Sequence, residues 1–420
     1  MGYWDVVALG VNGMIGAGIF FLPGVIAENL GSSALLAAAF AGFVASLNVM
    51  CFARIAPGYA NTGGPYLYAR DFLGRAVGFE IGWLNWCSRM LSWAAIAHGF
   101  AIALRTQFGT HAPSYVYAAG LIGLIVLLSA LNLRGVALGA RVSTVFTVAK
   151  LAPITLFIVV ASFAFDIRRF SGILEFSPRA FGDATLVVFW AFLGFESVVV
   201  TAGETKNPKK MLWPAMITII TAVTVIYLLV IAMVFGTLDE VAGRENPVAD
   251  ASRMLMGETG GRLIAVGILV SVFGMASAHA LVVPRCIFAM AEHHDLPHAV
   301  AWIHAIYRTP VVAILLSGVI TLVFALSGSF KDLAVLSVLA RFTQYITTAI
   351  AVLIMAVRDL RVRGMTSRSL GAMAVPLMAL GTSIWVMAQA NAMEWIKVGA
   401  AACLGLPFLA YSIKSERKLK

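Results

Sequence analysis

Several residues stand where a purely structural apolar segment would not place them. Gly13, Gly16 and Gly18 cluster in the middle of the apolar run from Val6 to Ile26. Glycine is poorly suited to a helix interior, so a spanning helix built on Gly13-Met14-Ile15-Gly16-Ala17-Gly18-Ile19-Phe20 is weakest at its centre. Gly194 repeats the weakness in Val188-Phe189-Trp190-Ala191-Phe192-Leu193-Gly194-Phe195-Glu196-Ser197, with the Glu196 carboxylate two residues on. Arg89, Lys150 and Arg341 also fall inside apolar runs. A broken helix presents free N–H groups at the start of its second half and free C=O groups at the end of its first. The N–H groups, with the positive end of the half-helix dipole, suit a carboxylate. The carbonyls suit an ammonium. Two such breaks facing one another form a receptor for a zwitterion, and an α-amino acid is the plainest such ligand.

The elements that must hold these residues follow from composition. The chain has 420 residues, 60% apolar and 12% charged, with a mean hydropathy of +0.91. Repeated apolar runs of about 20 residues mean membrane-spanning helices. Twelve spans are predicted, near 4–28, 33–54, 77–104, 114–132, 142–165, 183–203, 213–235, 263–289, 310–327, 333–357, 370–390 and 395–413. The longest connections, Gly236–Arg262 and Arg285–Thr309, read as partly helical. The fold class is an all-α polytopic membrane protein. Residues 1–165 form one five-helix half, 166–357 a second half of opposite topology, and 358–420 the last two helices and a short basic tail. The breaks fall in spans one and six, the opening helices of the halves. A single glycine break most simply allows close helix packing. Paired interruptions at matching positions of an inverted repeat point to a midplane site.

The formal net charge is +10. With the N-terminus inside, eighteen Lys and Arg residues fall in inner connections and the tail, among them Arg54, Arg70, Arg75, Arg141, Lys206, Lys209 and Lys210. Nine fall outside, such as Arg105, Arg179 and Arg262. That asymmetry places both termini in the cytoplasm, in the plasma (inner) membrane of the cell. It also accounts for the basic charge through anionic membrane lipid, so no nucleic-acid partner is expected. Cys51, Cys87, Cys286 and Cys403 show no metal or disulfide spacing. The start, Met1 to Asp5, lacks a basic n-region, so no cleavable leader is expected. There is no Walker A motif, no Gly-x-Ser-x-Gly and no zinc motif; direct ATP hydrolysis and enzymatic catalysis rank far below transport. No cofactor and no catalytic residue is expected. His293, His294, His298 and His304 lack a carboxylate cage, and no metal is expected there.

In four places, taken in order, the residues resemble the amino acid–polyamine–organocation (APC) permeases, which have the LeuT-type inverted-repeat fold. Met14 to Phe20 resembles the family's first-helix signature. Pro57…Gly63-Gly64-Pro65-Tyr66…Gly74…Gly82-Trp83 resembles its loop and third helix. Phe192-Leu193-Gly194-Phe195-Glu196, with Glu204…Asn207-Pro208…Pro214, resembles its sixth helix and the turn after it. Arg285…Ala289-Met290-Ala291…Leu296-Pro297 resembles the end of its eighth. The loop Glu292-His293-His294-Asp295 departs from the Arg-Asp-Gly usual there.

The resemblance implies roles. N–H groups of the Gly16-Ala17-Gly18 turn, those of Ala17 and Gly18 above all, would hold the substrate carboxylate. Carbonyls of Ile15, Trp190, Ala191 and Leu193 would hold its ammonium. Trp190 and Phe195 would line or gate the side-chain pocket. His279 stands where arginine/agmatine exchangers of the family carry a gating tryptophan. Sodium-independent members carry a lysine at the place of Lys150, where the ammonium replaces a structural sodium. Lys150 is thus expected to couple proton movement or to brace the first helix; a lysine snorkelling to the inner edge is the bland alternative. Glu196 either takes a proton or accepts backbone N–H groups in the unwound segment. Arg89 and Arg341 read as structural, with lining an aqueous path or pairing with a carbonyl cluster as the alternative. The expected function is a sodium-independent secondary transporter of L-amino acids, with neutral or apolar side chains favoured, coupled to protons or to exchange. A cationic amino acid or polyamine exchanger, and an amino-acid sensor on the same scaffold, stand as alternatives. The oligomeric state is not readable from the sequence.

Overall fold

The computed structural model describes residues 2–419 except 60–63, 109–112, 136–139, 201–206 and 364–366. Gly63, Glu204 and Lys206 therefore lie outside the described residues, as do the side chains of Arg141 and Lys209. The described residues form α-helices, short 3-10 turns and connections. Among the described residues, seven helical stretches are long and apolar enough to cross a membrane, and shorter apolar helices at Thr147–Ser162, Val311–Ser327 and Gly371–Met387 accompany them. The protein is an all-α polytopic membrane protein.

Each predicted span corresponds to helix. The first is divided into α1 (Tyr3–Met14) and α2 (Gly18–Leu30). α3 (Ala34–Ile55) is the second, and a short connecting helix α4 (Pro65–Leu73) precedes α5 (Arg75–Gln107), the third. α6 (Ser114–Leu133) and α7 (Ala140–Ser162) complete the first five. The sixth is divided again: α8 (Pro178–Phe189), a 3-10 turn at Trp190–Phe192, then α9 (Glu196–Val200). α10 (Pro208–Thr237), α11 (Pro247–Glu292), α12 (Val311–Ser327), α13 (Phe330–Arg363), α14 (Ser367–Met387) and α15 (Ala392–Leu419) follow. Several helices overrun the apolar segments that predict them. α11 takes in part of the 236–262 connection and bends at Gly257, whose φ is 68°.

Two surfaces distinguish lipid-facing from buried helix. α12 exposes Leu315, Val319 and Val323 at helical spacing, and α7 exposes Val148, Leu156 and Val159. Exposed aliphatic stripes at i, i+4 suit acyl chains. α5 is buried along most of its length between α11, α13, α6 and α12. It carries Arg89 into the interior, while α13 carries Arg341 there from the opposite side.

One end of the bundle is tied by Asp295, which is wholly buried. Its carboxylate accepts from Tyr66 Oη at 2.5 Å, Arg75 Nη2 at 2.8 Å and Ser412 Oγ at 2.7 Å. Those contacts join α4, α5, the end of α11 and α15. Burial, with the adjoining carboxylate, holds the Tyr66 phenol above its ordinary range, so it stays a donor. His294, just before, has φ 59°. That left-handed backbone is the one glycine ordinarily supplies at such a turn.

Candidate functional site

The two breaks meet. α1 ends at Met14, Ile15 is extended (φ −74°, ψ 107°), and α2 starts at Gly18. Leu193 is extended after the 3-10 turn, and Gly194 has φ 119°. A Cβ at Gly194 would collide with the backbone of Gly13, and one at Gly13 would lie 3.3 Å from Gly194 O. Close approach of two chains, together with positive φ, is why glycine occupies position 194. Gly18 abuts Ala191 and Trp190, and the Met275 thioether fills the space against Gly16.

The carbonyls freed at the breaks have buried partners. Lys150 is fully buried, and its Nζ donates to Asn12 O at 2.9 Å and Ile15 O at 3.0 Å. Its ammonium therefore sits at the end of α1, where the helix dipole is negative and carbonyls are left over. A snorkelling lysine would instead put its nitrogen at an aqueous edge. Tyr227 of α10, also buried, has Oη 2.8 Å from both Met14 O and Ala191 O. Trp190 O accepts from Leu193 N at 3.2 Å.

Behind the second break lies a charge cluster. Arg341 Nη1 donates to Glu196 Oε1, and its Nε to Ser88 Oγ at 2.9 Å. Glu196 Oε2 accepts from Gly194 N at 3.0 Å, and Tyr345 Oη stands 3.4 Å from it. Arg89 Nη2 lies 3.9 Å from Glu196 Oε1 while its Nε donates to Asn85 at 3.0 Å. Of the two roles read for Glu196, the contact with Gly194 N–H corresponds to the backbone acceptor. Arg89 and Arg341 gather at a carboxylate, not at carbonyls.

A small cavity of about 10 Å³, room for one water molecule, opens between these groups, lined by Arg89, Ser92, Trp190, Leu193, Gly194, Glu196, Ser197, Met275, His279 and Arg341. Trp190, Leu193, Glu196 and His279 of the sequence candidates thus share one wall. Ile15, Gly16, Ala17, Gly18 and Ala191 form the adjoining breaks, and Lys150 braces the first from its other side. His279 Nδ1 faces Met275 O at 3.1 Å, so that nitrogen carries a proton. Phe195 is absent from the lining: it stacks on Tyr345 at 5.3 Å and meets Phe52 edge-on at 5.4 Å. Trp190 packs on Phe330, which meets Phe21 in turn. Sequence reasoning passed over Tyr227 and Met275. The only signal for Tyr227 is a hydroxyl in the middle of an aliphatic run.

Fold and site define a polytopic permease built around two interrupted helices. The chain belongs to the amino acid permease family of the APC superfamily: residues 1–399 match that family's model. It is 30% identical to the serine/threonine exchanger SteT of Bacillus subtilis, over 99% of this chain and 97% of that one. It is 26% identical to the branched-chain amino acid permease BcaP of Bacillus subtilis, over 84% and 80%. It is 30% identical to an arginine/ornithine antiporter of Pseudomonas aeruginosa, over 70% of this chain and 64% of that one. The protein is an amino acid transporter and an integral membrane protein, in a family of membrane transporters and not of enzymes.

Proposed function

We propose that the protein moves L-amino acids by alternating access without sodium, binding the zwitterion at the paired breaks. The observation that carries this reading is the Lys150 ammonium on the carbonyls of Asn12 and Ile15. It fills with a covalently attached charge the position where a bound cation would brace the end of α1. The substrate carboxylate then faces the N–H groups of the Gly16-Ala17-Gly18 turn, and its ammonium the carbonyls of the Trp190–Leu193 segment. Residues 1–165 and 166–357 act as the two inverted halves, with 358–420 outside the repeat. Both termini face the cytoplasm of a cell bounded by the inner membrane, as the Lys and Arg bias requires. Protons or a second amino acid supply the driving gradient, with Lys150 as the coupling residue, while Glu196, held by Arg341 and Gly194 N–H, keeps the unwound segment in place.

The cavity speaks against a cationic side chain, because it already holds two guanidinium groups beside a single carboxylate. The neutral, apolar side chain favoured from Trp190, Phe195 and His279 meets a wall that also carries Arg89 and Ser92. Counterflow in proteoliposomes tests the function: preloaded unlabelled amino acid should draw in labelled amino acid equally in sodium and in choline medium. Strict sodium dependence overturns the reading, and ligand binding without flux supports the sensor alternative.

A further inference from the structure

The charges around the cavity do not balance. Arg89 and Arg341 are 4% and 1% exposed, and Glu196 is 0% exposed. All three line the cavity, and among the described lining residues Glu196 is the only acid. Arg341 is committed to Glu196 and Ser88. Glu196 in turn spends its second oxygen on Gly194 N–H, near the Tyr345 hydroxyl. Arg89 reaches Glu196 only at 3.9 Å, beyond hydrogen-bond distance, and its Nε is held by Asn85. Two cations thus share one carboxylate in a space from which bulk water is excluded. Burial of a charge without a full counter-charge is strongly unfavourable, so a group that completes the balance binds there preferentially.

We propose that the substrate supplies that group: the protein takes L-amino acids whose side chain ends in a carboxylate, aspartate or glutamate, and Arg89 is the residue that selects them. The inference rests on the reading of the paired breaks as the amino-acid site. The zwitterion's own charges are used at the breaks, which leaves the side-chain carboxylate for the guanidinium. The guanidinium fork matches a carboxylate in two parallel hydrogen bonds, which an amide of the same shape cannot reproduce. An arginine side chain would bring a third guanidinium into the same volume.

Isosteric pairs isolate the charge. Uptake of labelled glutamate and glutamine, and of aspartate and asparagine, is compared in proteoliposomes with the wild type and Arg89→Gln, in chloride and in gluconate medium. The wild type should favour each acid over its amide at least tenfold in either medium, and Arg89→Gln should bring the ratio to one or below. Thermal shift of the wild type with glutamate against glutamine gives the same comparison if the variant does not fold. Preference for the amide, an unchanged ratio in a folded Arg89→Gln, or an uptake that requires chloride as the missing anion overturns the proposal. Uptake of glutamine without glutamate defeats this inference alone. Uptake of none of the twenty amino acids defeats the site reading as well.

Discussion

Gly13 and Gly194, separated by 180 residues of chain, meet backbone to backbone. A methyl group at either position would press on the other's peptide, and at Gly194 it would also have to adopt φ 119°. The two interruptions are therefore one structure, each leaving room for the other.

Gly194→Ala should cost about 1–3 kcal/mol from backbone strain alone, before the collision with Gly13 is counted. Melting of the purified protein in detergent measures it. Ala substitution at Gly371, where nothing lies within 4 Å, serves as the control and should leave the melting temperature unchanged. Equal behaviour of the two variants would show that the breaks do not touch.

Lys150→Ala removes the ammonium that donates to Asn12 O and Ile15 O. Flux should fall at least tenfold in proteoliposomes, and its pH profile should flatten. Unchanged uptake and unchanged pH dependence would sink the assignment of Lys150 to either bracing or proton coupling.

Glu196→Gln strands Arg341 and Arg89 in the interior, and loss of one partner from a buried ion pair typically costs about 3–5 kcal/mol. The double variant Glu196→Gln/Arg341→Met should recover part of that stability by deleting one stranded charge. Thermal melting of the four proteins forms a double-mutant cycle. Additive effects would mean that the pair does not interact.

Asp295→Asn weakens a contact among four segments, since the amide cannot hold Arg75, Tyr66 and Ser412 as an anion does. A fall in melting temperature at pH 8 is expected, with the C-terminal helix becoming more open to limited proteolysis. The Tyr66 phenol is held above its ordinary value near 10, so its part of the stability is complete below that pH and is lost only as pH rises beyond it. The wild type should therefore keep this contact from neutral pH to about pH 9. Loss of protection on moving from pH 7 to pH 9 would contradict the arrangement.

The breaks, the spans and Lys150 were legible because each is a local anomaly in one apolar run: a glycine where a helix needs side chains, or an ammonium where hydrocarbon is expected. Family membership was legible from four short motifs in order. What the sequence hid is long-range pairing. Nothing local ties Arg341 to Glu196, 145 residues away, and each alone reads as an unexplained charge. Tyr227 looks like one more aromatic in a lipid-facing helix until the carbonyls of Met14 and Ala191 converge on it. The family resemblance implies that Phe195 lines the pocket, but after the positive φ at Gly194 it packs on Phe52 and Tyr345. Asp295 reads as a loop departure and proves to be a buried hub, because its partners come from three other helices.

The ammonium on Asn12 and Ile15 has one further consequence. A free ion at those carbonyls would come and go with its concentration in the medium, following mass action. A charge on a four-carbon stem does not dilute: its local concentration is set by the length of the side chain. The support that Lys150 gives the end of α1 is therefore independent of the cation concentration of the medium.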